Sequence, residues 1–154
     1  MYQWLGNTLS AQNQTYCTGP YTYIDVKNPA PYDGVIKFWG VTERNGSPGA
    51  NYKFKIFRDD GTNFLFISDG PTVTSTGIPQ IFGVWINWRW VRKGDLIGMY
   101  VSAGGIDSGT MLTTGLHWTN GEISSDSLKS SWTAASRWMN LQSWVYKRGK
   151  IASF

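Results

Sequence analysis

His117 is the only histidine in the 154-residue chain, so any chemistry that needs an imidazole must run through it. Asp107 and Asp126 lie close to it in sequence. No second histidine completes a zinc geometry, however, and no Gly-x-Ser-x-Gly elbow presents a nucleophile. A polar side chain at a strand end, beside Trp118, accounts for His117 without catalysis. Paired carboxylates are the other route, through glycoside hydrolysis. The ten acids are Asp25, Asp33, Glu43, Asp59, Asp60, Asp69, Asp95, Asp107, Glu122 and Asp126. Most fall in or beside turns rich in Gly, Asn, Ser or Pro, where turn formation explains them; only Asp25 comes near an apolar strand face. A hydrolase is therefore the weakest reading, and the chain is expected not to be an enzyme.

No cofactor is called for. The stretch with the makings of a structural calcium loop is Asp59-Asp60-Gly61-Thr62-Asn63, with Asp59, Asp60 and Asn63 as ligands, and Asp69 and Asp107 are further acids in suitable loops. It lacks the full EF-hand spacing, and a plain hairpin turn accounts for the same residues.

The aromatic residues carry the stronger signal. Nine Trp, eight Tyr and seven Phe make up 16% of the chain, with Trp85, Trp88 and Trp90 inside six residues and Trp132, Trp138 and Trp144 further on. A core of this size does not need so many indoles, so some are expected at a surface, where amphipathic rings suit contact with a ligand or partner. Sugar rings offer flat C–H faces to such rings, while neighbouring polar groups take the hydroxyls. Strict alternation along Val84–Val91 puts Trp85, Asn87 and Arg89 on one face as a ring-plus-donor strip. Trp39 is expected to stack beside Trp85, and Lys37 to add a donor. The competing reading makes these rings core, or anchors between subunits.

The elements that must hold these residues read as strands. Val84–Val101 is the longest apolar run and is expected to be a central hairpin turning at Arg92-Lys93-Gly94-Asp95, with apolar bulk on both faces. Tyr52–Arg58 alternates with Tyr52, Phe54 and Ile56 inward and Lys53, Lys55 and Arg58 wet. It turns at Asp59–Thr62 into Asn63–Ser68. Further strands are expected at Tyr21–Val26, Val35–Val41, Thr72–Thr76, Met111–Trp118 and Gln142–Ile151. Residues 1–20 read as an N-terminal arm or long loop, Ala103–Gly109 and Asn120–Ser131 as loops, and Ser131–Leu141 as a helix or a bulged strand. About eight to ten short strands with turn chemistry between them predict one all-β domain over 1–154, an antiparallel β-sandwich of jelly-roll type.

The net charge of +4 comes from scattered basic residues, densest at Lys147, Arg148 and Lys150, and no nucleic-acid-binding pattern accompanies it. A solvated face explains it. Cys17 is alone and forms no intrachain disulfide, which fits a small buried residue. The start of the chain lacks the features of a signal peptide, and no window has the ~20 apolar residues of a membrane helix.

The run Val91-Arg92-Lys93-Gly94-Asp95-Leu96-Ile97-Gly98-Met99-Tyr100-Val101 resembles the Gly-Asp strand opening of jelly-roll domains: complement-head and tumour-necrosis-factor-like domains, bacterial surface modules and carbohydrate-binding modules. The resemblance covers 11 of 154 residues. It implies a non-catalytic, extracellular domain that binds a ligand or oligomerises. Two functions follow as expectations: a carbohydrate-binding module at a cell or virion surface, or a capsid, fibre or surface subunit that self-assembles through aromatic sheet faces.

Overall fold

A computed structural model describes residues 2–6 and 15–147, without the side chains of Tyr2, Trp4, Ile86 and Asn87. Among the described residues the chain forms fourteen strands: β1 (Tyr2–Gly6), β2 (Thr15–Thr18), β3 (Tyr21–Asp25), β4 (Gly34–Asn45), β5 (Asn51–Asp59), β6 (Asn63–Thr74), β7 (Ile81–Val91), β8 (Leu96–Val101), β9 (Gly105–Thr110), β10 (Leu116–Asn120), β11 (Ser127–Leu128), β12 (Thr133–Ala135), β13 (Arg137–Met139) and β14 (Leu141–Lys147). All pairings are antiparallel. Two seven-stranded sheets pack as a sandwich. In the first, β4 lies between β7 and β14, β1 flanks β14, and the far end of β4 meets β9, which carries β2 and β13. The second runs β11-β6-β5-β8-β3-β10-β12.

Several sequence expectations are corrected here. Residues 2–6 and 15–18 are strands rather than arm or loop. Ala103–Gly109 is mostly strand β9, while Ser131–Leu141 divides between β12, β13 and the start of β14. Thr72–Thr74 belongs to β6, which continues through Gly70 and Pro71 with a register shift against β5. The expected central hairpin is not a hairpin. β7 pairs with β4, whereas β8 pairs with β3 and β5 in the opposite sheet. The Arg92–Asp95 turn does form, with Asp95 N donating to Arg92 O and Gly94 at φ 93°. It carries the chain across the sandwich, and a tight turn alone does not determine which strands pair.

Between the sheets lies one core, with Ile36, Trp39 and Val41 from β4 facing Tyr52, Phe54 and Ile56 from β5 and Ile97, Met99 and Val101 from β8. The second sheet is apolar on both faces. Ile24, Phe57, Phe64 and Leu96 alternate with core residues and point outward, where Trp132 seals them into a second cluster. The segment Gly121–Trp132 forms this lid. Phe66 N donates to Asp126 Oδ1, Ile123 N to Thr22 Oγ1, and Trp132 Nε1 to Ser127 Oγ. Lys55, expected on the wet side, is fully buried under the lid. Its Nζ reaches Asp69 Oδ1 at 2.7 Å and Glu122 Oε2 at 3.1 Å. Partial burial pushes the Glu122 carboxyl up, but hydrogen bonds from Lys53 and Lys55 outweigh it and hold it below its ordinary value.

Candidate binding site

The outer face of the first sheet has no such lid among the described residues. Phe38 lies in register between Trp85 of β7 and Trp144 of β14. Its ring centroid is 4.9 Å from Trp85 and 5.0 Å from Trp144, and Trp85 meets Trp144 edge-on at 5.0 Å. Beside this row, Lys37 Nζ sits 4.5 Å from the Trp88 ring centroid and 4.7 Å from that of Tyr146. Trp85, Trp88 and Trp90 are each 60% exposed. A wall of rings with one cation on it therefore faces solvent.

A β-bulge makes this face. From Ile36 to Phe38, β4 advances two residues while β7 advances four, from Arg89 to Trp85, and β14 only one. Lys37 and Phe38 both lie outside the core, so Ile36 and Trp39, three residues apart, can both enter it. On β7 the extra residues reverse the alternation. Trp85 and Trp88 end up on the same side, and Arg89 turns to the sandwich rim, where Nε donates to Asp69 O at 2.8 Å.

The expected strip is thus rearranged. Trp85 and Lys37 belong to the exposed face. Trp39 does not: it is fully buried against Phe54, 5.0 Å between centroids, so it is unavailable for stacking. Arg89 is committed to the backbone of β6 and to Trp88 O rather than presented beside Trp85. The Asn87 side chain lies outside the described residues. Phe38, Trp88, Trp144 and Tyr146 join the face instead. Alternation along β14 already puts Trp144 and Tyr146 on one side, but no local signal locates the bulge.

The other candidates for chemistry have structural partners. His117 packs edge-on to Phe64, 5.3 Å between centroids, and its Nδ1 is buried without a hydrogen-bond partner among the described residues. Burial first, then nearby Lys129, holds its pKa below the ordinary 6.5. At Asp59–Asn63 the carboxylates brace the turn: Asp59 accepts from Gly61 N and, from outside the turn, Lys129 Nζ, and Asp60 accepts from Thr62 N and Asn63 N. Asn63 Nδ2 adds a long contact to Asp60 Oδ2, and Gly61 supplies φ 95°. These bonds account for the residues as a hairpin turn. Asp25, nearly fully buried, accepts from Lys27 N, Asn28 N and Asn28 Nδ2, and burial raises its pKa. Cys17 is buried, and its thiol is pushed up to about 11 by that burial.

No family model matches the chain, and a search of curated proteins finds no significant relative. No helix among the described residues is long and apolar enough to cross a membrane.

Proposed function

We propose that the protein is a non-catalytic recognition module, acting outside the cell or at a cell or virion surface, that holds carbohydrate against the aromatic face of β7, β4 and β14. The observation that carries this reading is the exposure of Trp85, Trp88 and Trp90 at 60% each, in a chain that seals Trp39 and Trp132 completely or nearly so. Each indole offers roughly 200 Å² of surface, so leaving three open forgoes on the order of 5–10 kcal/mol of burial. A sequence retains such a patch at that cost when the patch contacts something. Lys37, held over Trp88 and Tyr146 without an acid partner among the described residues, is the hydroxyl-facing donor.

Polysaccharide pull-down and glycan-array binding test the reading. Trp85→Ala and Trp88→Ala should each weaken binding about tenfold or more, a loss of roughly 1.4 kcal/mol. Absence of binding to every glycan, or binding that both substitutions leave intact, refutes it.

One observation favours self-assembly as a second reading. Among the described residues β7 pairs only with β4, so an eleven-residue edge strand stands open beside the exposed rings. Analytical ultracentrifugation separates the two. A monomer at micromolar concentration removes the assembly reading, and an oligomer that protects Trp85 and Trp88 from solvent quenchers establishes it.

A further inference from the structure

A second aromatic site lies away from the exposed face, where β2 and β13 of the first sheet meet β3 and β10 of the second. Tyr16, Tyr21, Tyr23, Leu116, Trp118 and Arg137 line a cleft of about 260 Å³. Tyr21 packs edge-on to Trp118 at 5.2 Å and to Tyr23 at 6.4 Å, and Tyr23 Oη donates to Thr18 O at 2.7 Å. Tyr16 stands at the mouth, 44% exposed. Its ring occupies the space of the missing Gly105 side chain, since a Cβ there would lie 2.2 Å from Tyr16 Cδ2. The walls are thus fixed by packing rather than left to float.

Arg137 is the unusual member. Its Nη2 lies 2.7 Å from Thr15 Oγ1, 2.9 Å from Ser108 Oγ and 3.4 Å from Tyr16 O, so the guanidinium is anchored at one nitrogen by neutral acceptors. No carboxylate comes within ion-pair distance of it among the described residues. Every Asp and Glu of the chain is among those residues; 7–14 and 148–154 contain none. Asp107, the acid of this region, is fully buried and held by Asn140 Nδ2 at 3.1 Å, with Arg44 at 3.9 Å. A half-buried, positioned guanidinium without an acid partner is a fork that matches a carboxylate. Aromatic walls add affinity for a ring, and the volume falls just below the roughly 300 Å³ at which drug-sized sites begin, so it suits one ring only.

We propose that this cleft binds a single ring bearing a carboxylate, with the carboxylate on Arg137 and the ring between Tyr16, Tyr21 and Trp118. The site is independent of the Trp85 face. A uronic acid and an aromatic acid share this chemistry, so D-glucuronate and benzoate are the probes and D-glucose is the neutral control. Each is titrated into the full chain and followed by the Arg137 Nε–Hε resonance in ¹⁵N-correlated spectra and by calorimetry. Either acid should shift that resonance and bind at least tenfold more tightly than glucose. Preference for glucuronate identifies a sugar acid, and preference for benzoate an aromatic acid. Arg137→Gln should abolish the discrimination between acid and glucose. An Arg137 resonance unmoved by both acids overturns the proposal, as does equal binding of glucose and the acids. The wild-type titration decides the matter even where Arg137→Gln fails to fold.

Discussion

Asp95 shows how much of a residue's role depends on partners far away in the chain. From sequence it is a turn aspartate, and its Oδ2 does accept from Arg92 N at 2.8 Å. It is also 1% exposed and takes a two-point contact from Arg58, Nε at 2.7 Å and Nη2 at 3.0 Å. Asp95→Ala leaves Arg58 and a turn amide without their acceptor. It should cost about 2–4 kcal/mol in urea unfolding, well beyond an ordinary surface change. His117 makes a different prediction. Its folded pKa lies below 6.5 because burial against Phe64, and then Lys129, disfavour the imidazolium, with Asp59 opposing. The unfolded chain therefore takes up the proton first. The contribution of His117 to stability is complete above pH 6.5 and is lost as pH falls through its folded value. Unfolding measured from about pH 5 to pH 7.5 should show this slope in the wild type, and His117→Gln should flatten it.

At the level of elements, the lid over the second sheet and the bulge in the first set the two outer faces apart. Trp132 packs edge-on to Phe57 at 5.8 Å and to Phe64 at 5.4 Å, closing a face whose outward residues are as apolar as its inward ones. Trp132→Ala should cost about 3–5 kcal/mol and speed amide exchange through Gly121–Ser131, with the inter-sheet core less affected. Much of this was legible: the two-faced apolar pattern of Leu96–Val101, the turn at Asp59–Thr62, and the inward set Tyr52, Phe54 and Ile56. The lid was legible only as a polar, serine-rich loop. Its partners Lys53, Lys55 and Thr22 lie about seventy to a hundred residues upstream, beyond the reach of local pattern.

For the whole molecule, the two sheets differ in their outer faces. Among the described residues the second is covered on both sides, while the first is covered on its inner side and exposes rings on its outer side. If the exposed indoles serve recognition rather than folding, Trp85→Ser with Trp88→Ser should leave the midpoint of thermal unfolding within about 2–3 °C of wild type, a change of under ~1 kcal/mol. A drop like that expected for Trp132→Ala would instead mark the face as part of the fold.

The all-β class, the wealth of turns and the surplus of rings follow from the sequence alone, because strand alternation, turn residues and composition are local quantities. Which rings face water did not. Alternation assigned Arg89 to the side of Trp85 and Trp39 to that of Lys37, and the register irregularities where β4 meets β7 and β14 reversed both placements. The turn at Arg92–Asp95 was legible, yet its strands entered different sheets. The physical reason is common to both. A bulge and a sheet crossing are chosen by packing between distant strands, where one extra residue exchanges the two faces, and only the assembled sandwich contains that information.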